Sequence, residues 1–324
     1  MKRCAAAMAC AVWVAVAATG AAAANTLDIY FIDVEGGQST LIRTPSGGSL
    51  LIDAGYAGFG DRDAGRVMAA ARDAGLTSID TLLITHFHGD HDGGVPALAR
   101  QIPIHTFVDY GRPRETADTT VEPFNAYAAV RSKGAHVQPM PGDRVPLSGA
   151  DVEVVSAGGA LLTKPLSGAG RPNPACASFK PRADDPSENA RSVGVRLAFG
   201  AFRFLDLGDL NWNPLGRLAC PDDLVGPVSV YLVPHHTNSD SNVPALLAAL
   251  RPRVVVSNNG AEKGGAADAL AALHHLAGVD VWQLHRSRAA GASNSDAPLI
   301  ANIDDGATSD WIKVSASADG SFTV

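Results

Sequence analysis

Cysteine and positive charge are both scarce in this chain. Only four of its 324 residues are cysteines. Two of them fall in the first ten positions, which leaves Cys176 and Cys220, and neither of these sits in a metal motif. In an oxidising compartment the two could pair, but their spacing alone does not show whether they meet. Lys and Arg number 26 against 33 Asp and Glu, a formal charge of −7, and loss of Lys2 and Arg3 with an N-terminal leader would take it to −9. That balance gives no strong nucleic-acid-binding signal, because sequence-blind binding needs Lys and Arg to displace counterions. A nuclease with a local basic strip remains compatible with it. Beyond residue 24 there is no Gly/Pro linker between independent cores, no short-period repeat and no apolar run of membrane-spanning length. Residues 25–324 therefore read as a single domain, long enough for two packed sheets.

Residues 1–24 have the layout of a secretory signal peptide. Lys2 and Arg3 precede an apolar stretch through Val16, and Ala22, Ala23 and Ala24 lead to Asn25. The stretch is short and Ala-rich for a membrane anchor. The expected location is the periplasm or the cell exterior, with no membrane span after cleavage.

Two halves of the remaining chain repeat a similar rhythm. The first half predicts strands near Leu27–Val34, Ser39–Thr44 and Ser49–Asp53, with a turn at Ser46-Gly47-Gly48. A helix capped by Asp61 and stopped at Gly75 follows, then a strand Ile79–Thr85, a helix near Val95–Arg100, a strand Thr106–Tyr110 and a helix near Pro123–Lys133. The second half predicts strands near Val152–Ser156, Ser192–Phe199 and Phe202–Leu207. Val193, Val195, Leu197 and Phe199 alternate with Gly194, Arg196 and Ala198, the period-two pattern of a strand with one buried face. A short helix, strand Ser229–Val233, helix Val243–Leu250, strand Arg253–Ser257, helix Ala266–Ala277 and strand Asp280–Leu284 come next. The chain closes in a hairpin pairing Trp311–Ser315 with Ser321–Val324. Gly158–Asn189 is long and aperiodic, and reads either as an excursion that shapes access to a site or as a surface loop.

The richest stretch is Thr85-His86-Phe87-His88-Gly89-Asp90-His91-Asp92-Gly93-Gly94, with three of the ten histidines inside six positions. It follows the apolar run that ends at Thr85, so the cluster lies where a buried strand gives way to a loop. Imidazole and carboxylate are ligands for zinc and similar divalent ions. His86 and His88, two apart in an extended segment, can converge on one ion, while Asp90 and His91 at the turn can face a second. His274 and His275 fall in a helical pattern and read as surface or packing residues. His105 and His136 have no partner motif and read as structural.

This T-H-x-H-x-D-H run resembles the signature of the metallo-β-lactamase superfamily. Phe31-Ile32-Asp33-Val34-Glu35-Gly36-Gly37-Gln38, Leu51-Ile52-Asp53-Ala54-Gly55, Leu207-Gly208-Asp209 and Val233-Pro234-His235-His236 extend the resemblance over most of the chain. They point to the branch that includes the hydrolase domain of the bacterial DNA-uptake (competence) channel, although Glu35-Gly36-Gly37-Gln38 departs from that branch's G-Q-G-D. Many relatives carry a further histidine before the G-D aspartate, but none stands between Gly142 and Asp209 here. The competence branch has a serine at the start of that strand, and Ser192 is the counterpart.

The resemblance implies an α+β fold, a four-layer αββα sandwich with the site where strand-end loops meet. It implies His86 and His88 on one ion, with Asp90, His91 and His236 on a second; His235 is the alternative to His236. Asp209 would bridge the ions, and Asp90 and Asp209 would be the catalytic carboxylates. Two zinc ions are expected, with manganese as the alternative and one position ligand-poor. Asp53 reads as an acceptor behind a ligand imidazole or as a turn cap. Asn259, Lys263 and His285, on loops after consecutive strands, are candidate substrate-binding residues for an anionic group. The implied activity is hydrolysis by metal-activated water, with a phosphodiester as the leading substrate. Lactone, thioester and β-lactam hydrolysis are the alternatives, and a non-catalytic metal-binding module is another.

Overall fold

The computed structural model describes residues 25–303 and 311–324, so the expected signal peptide lies outside the described residues. In chain order the first half forms β1 (Leu27–Ile32), β2 (Thr40–Arg43), β3 (Ser49–Ile52), α1 (Arg62–Asp73), β4 (Ile79–Leu83), α2 (Val95–Leu98), β5 (Ile104–Val108), α3 (Asp118–Arg131) and β6 (Ala135–Val137). The second half forms β7 (Asp151–Ala157), β8 (Ala160–Leu161), β9 (Gly194–Phe199), β10 (Phe202–Asp206), α4 (Trp212–Ala219), β11 (Val230–Leu232), α5 (Pro244–Leu250), β12 (Val254–Ser257), α6 (Ala267–His274), β13 (Asp280–His285) and β14 (Ile300–Asn302). The hairpin β15 (Trp311–Ala316) and β16 (Phe322–Thr323) returns to the first half and pairs antiparallel with β1.

Two eight-stranded sheets result, ordered β16-β15-β1-β2-β3-β4-β5-β6 and β14-β13-β12-β11-β10-β9-β7-β8. Each begins with antiparallel neighbours and continues in parallel ones, from β3 to β6 and from β10 to β14. The rhythm of the two halves is therefore a shared topology. This is a mixed α+β fold of two sheets with outer helices, the four-layer arrangement that the motifs implied.

Side-chain alternation explains how the layers hold. On β12, Val254 and Val256 join the core between the sheets, while Val255 joins the core under α4, α5 and α6. Phe204 and Leu205 of β10 divide the same way, as do Leu232 and Tyr231 of β11. Strands buried on both faces read as continuous apolar runs, which is how these parallel strands read in the sequence. On the other side, Ala64, Val67, Ala70 and Ala71 of α1 pack into the inter-sheet cluster with Leu98 of α2 and Tyr127 of α3.

Four local expectations change. Asp61 does precede α1, but its backbone is left-handed and its side chain makes no cap; the carboxylate pairs with Arg100 at 2.8 Å. Helix α3 starts at Asp118, so Pro123 lies inside it, and Thr120 Oγ1 ties the first turn by donating to Glu115 (2.8 Å). The polar face of β9 is not solvated. Arg196 is buried there and donates to the carbonyls of Ser167 and Val225 and to Glu153, because the long loop after β8 folds over it. That loop is also anchored: Cys176 and Cys220, the latter ending α4, form a disulfide with Cα atoms 5.6 Å apart. Among the described residues no helix is long and apolar enough to cross a membrane.

Candidate metal centre

Parallel strands bring their carboxyl ends to one edge of the molecule, and the loops that leave those ends carry the polar residues. His86 to His91 follow β4, Asp209 follows β10, His236 follows β11, and Lys263 follows β12. Four of these groups, Asp90, His91, Asp209 and His236, are buried and offer ligand atoms that all lie within 4.8 Å of one another. His91 Nε2 is 3.3 Å from both Asp90 Oδ2 and Asp209 Oδ2, and His236 Nε2 is 3.1 Å from the same two oxygens. A tetrahedral ion with ligands about 2.0 Å away has ligand–ligand edges of about 3.3 Å. His91 Nε2, His236 Nε2 and Asp209 Oδ1 are buried without a hydrogen-bond partner. Buried polar atoms left this way are costly, and a divalent cation would satisfy them together. The donor set therefore fits a metal ion.

Behind the donors, hydrogen bonds fix the rings. His91 Nδ1 donates to Asp53 Oδ2 at 2.7 Å, which leaves Nε2 facing the cluster, and Asp53 also accepts from Thr85 N (2.8 Å) and Thr85 Oγ1 (2.7 Å). Asp53 thus stands behind the His91 imidazole as well as holding the Thr85 turn, the arrangement an acceptor behind a metal-ligating ring would have. Burial alone would push the His91 imidazole down, but the Asp209, Asp90 and Asp53 carboxylates hold its proton affinity well above the usual histidine value. Burial likewise opposes ionisation of Asp209, yet the His236 and His91 rings keep it well below the usual carboxylate range. Both directions reflect acids and imidazoles that attract one another at close range, an environment that also favours a cation.

The backbone is bent to present His236. His235, His236 and Thr237 are three consecutive left-handed residues (φ 51°, 52° and 64°), a strained run that persists only where surroundings hold it. Its outcome is that His236 faces the cluster, while His235 turns away to Asp240 Oδ1 (2.9 Å) and Asn189 Nδ2 (3.1 Å). Gly208 is required beside Asp209, since a Cβ there would come within 2.7 Å of Thr85 Cβ.

His86 and His88 form a looser second set. His86 Nε2 is 3.0 Å from His88 Nδ1 and 3.8 Å from Asp209 Oδ2, so three donors share a space without a fourth side chain. Burial and the neighbouring His91 hold the His86 imidazole well below its ordinary value, which keeps a lone pair available. His88 is partly exposed, and its Nε2 donates to Glu115 Oε2 at 3.2 Å. Ser192 Oγ does not face that space. It accepts from Asp209 N (3.1 Å) and lies 3.4 Å from His86 Nδ1, so it positions two ligands.

The expected anion contacts separate. Lys263 Nζ pairs with Asp90 Oδ2 and donates to Tyr56 OH at 2.9 Å, beside the cluster. Asn259 and His285 do not stand at the mouth. Asn259 is fully buried and donates to the carbonyls of Gly260 and His285 (2.9 Å each). His285 is buried against Asp33 (2.8 Å) and Glu35 (3.3 Å), where Arg66 already neutralises both acids. His285 ties β13 to Asp33 and Glu35, and facing acids it cannot favour an anion; the Asn259 amide is taken up by backbone carbonyls. Glu115 was missed in the sequence because a lone acid in a loop has no motif. Gln38 was missed as a link between the sheets: its Nε2 donates to Asp206 Oδ1 (3.1 Å), whose carboxyl burial pushes up to about 7.

Residues 32–171 match the family model of the metallo-beta-lactamase superfamily. YhfI from Bacillus subtilis, a metallo-beta-lactamase fold protein, is 11% identical, with 80% of this chain and 95% of that one covered and a TM-score of 0.50. The family match spans less than half of the chain, and the likeness to YhfI is one of fold. A candidate metal-dependent hydrolase from Parabacteroides distasonis ATCC 8503 is 18% identical over 79% of this chain and 92% of that one (TM-score 0.46). CmlA, a diiron beta-hydroxylase from Streptomyces venezuelae, is 17% identical over 71% of this chain and 44% of that one (TM-score 0.41). No curated protein matches the sequence. The match to this family model, together with these His and Asp groups, implies divalent metal ions and supports a metal-dependent hydrolase.

Proposed function

We propose that the chain is an exported hydrolase that cleaves phosphodiester bonds with water at a two-ion centre, zinc or manganese. The carrying observation is the buried Asp90–His91–Asp209–His236 cluster, in which His91 Nε2, His236 Nε2 and Asp209 Oδ1 have no hydrogen-bond partner. Divalent ions there would supply Lewis acidity and bring the pKa of a water towards neutrality. The protein's own groups orient the rest. Asp209 lies within reach of both ligand sets, and the Lys263 ammonium beside Asp90 offers an anionic ester a charge-assisted contact. The absence of a histidine at Ser192 and the Pro234-His235-His236 run support the competence-type branch over β-lactam hydrolysis. The layout of residues 1–24 supports export to the periplasm or cell exterior.

The test is metal content of the protein from residue 25 onward, with turnover of bis-p-nitrophenyl phosphate compared between zinc and manganese. Near two ions per chain, with turnover abolished in Asp209→Ala, is the expected result. Turnover of lactones, thioesters or β-lactams with none on phosphodiesters would replace the substrate assignment. Bound metal with no turnover on any ester would replace it with a binding module.

A further inference from the structure

Beside the metal centre lies a cavity of about 470 Å³ lined by Glu35, Tyr56, Phe59, Arg62, Lys263 and Arg288, among others. It shares a wall with the centre, because Lys263 pairs with Asp90 and also donates from Nζ to the Tyr56 hydroxyl at 2.9 Å. Phe59 stands over the cavity with 70% of its surface exposed, the largest exposure among the described large apolar residues. Its backbone is left-handed (φ 50°), flanked by Gly58 and Gly60 in the same region. A bulky residue is costly in that conformation, and Phe59 gains no core burial in return. The loop thus spends conformational energy to hold an aromatic ring out in water. The rings of Tyr56 and Phe59 meet edge to face, with centroids 6.2 Å apart.

The charges around the cavity are matched locally. Arg62 Nε pairs with Asp63 at 2.6 Å and its guanidinium lies 4.6 Å from the centre of the Phe59 ring, while Arg288 pairs with Glu262 at 3.0 Å. Glu35 is engaged by Arg66 and His285. What the cavity presents to a ligand is therefore aromatic surface, with the Lys263 ammonium at its metal-side edge.

We propose that this cavity is a subsite for an aromatic ring attached to the anionic group that the metal centre holds. The ring lies against Phe59 and Tyr56, and the anionic group extends past Lys263 to the ions. The proposal rests on the proposed metal centre but not on the phosphodiester assignment. It names the substrate class as aryl-bearing esters rather than small aliphatic ones.

Binding calorimetry of the metal-loaded protein with phenylphosphonate and methylphosphonate tests it without turnover. Phenylphosphonate is expected to bind about tenfold more tightly, the size of one aromatic contact beyond area burial. In Phe59→Ala that preference should vanish, with methylphosphonate affinity unchanged, and Phe59→Tyr should restore it. Equal affinities for the two phosphonates, no binding of either, or a preference that survives Phe59→Ala would each overturn the subsite. If the preference holds while phosphodiester turnover fails, the subsite stands and only the substrate bond is reassigned.

Discussion

The two candidate ligand sets both draw on the turn after β4 yet differ in kind. Asp90, His91, Asp209 and His236 are buried, close at 3.1–3.3 Å, and held by Asp53 and by a strained turn. His86 and His88 share a space with Asp209 alone, and His88 is partly exposed with its outer nitrogen on Glu115. A ligand that must be ordered by exposed neighbours costs more side-chain entropy on binding than one the core already holds. One position should therefore bind an ion tightly and the other weakly.

The largest expected break of this contrast is at Asp209, which faces both sets. Asp209→Ala should lower turnover by at least about 10³-fold, several kcal/mol of barrier, and reduce metal content at both positions, measured by elemental analysis. His236→Ala should instead remove the tightly held ion alone, so a chelator titration that is biphasic in the native protein should lose its slow, high-affinity phase. A native protein that gives up all its metal in one phase would sink the idea of unequal positions. Glu115→Gln should weaken the His86–His88 position by roughly 10- to 100-fold and leave the buried one unchanged, the usual cost of removing a carboxylate behind a ligand imidazole. Equal weakening of both positions would mean that Glu115 acts on the whole fold.

The smallest effect on the site should come from the disulfide. Glu188, at the end of the Cys-anchored loop, is buried; its N–H donates to Glu115 Oε1 and it accepts from Glu115 N (3.0 Å each). Replacing Cys176 and Cys220 by Ser should lower stability by about 2–4 kcal/mol in denaturant titration. Metal affinity should fall only a few-fold, and only at the His86–His88 position. An unchanged chelator profile would show that the loop end braces Glu115 without help from the bridge.

Much of the fold was legible because its elements carry strong periodic signals. The valines of β12 and the Leu/Ile run of β4 can hardly be anything but buried strands. The edge strands β6, β8 and β14 were not legible, since two or three residues hold no period and only a neighbouring strand defines them. The candidate metal-ligating residues near position 90 were legible because short sequence spacing on an extended segment limits where side chains can go. His285 and Asn259 misled for the opposite reason. Their loops leave the proper strand ends, but whether a side chain faces the mouth or the interior depends on what packs opposite: Asp33 and Glu35 for His285, backbone carbonyls for Asn259.

By itself, then, the sequence determined the strand–helix rhythm, the ligand-rich turn after β4 and the shortage of a ligand near Ser192, because all three are local in the chain. Only the tertiary structure decided that His236 rather than His235 turns inward, that Glu115 meets His88, that Gln38 links the sheets through Asp206, that Cys176 meets Cys220, and that Phe59 overlooks a cavity at the metal edge. Those outcomes depend on contacts between residues tens to hundreds of positions apart, and a sequence records such contacts only through the packing that brings them together.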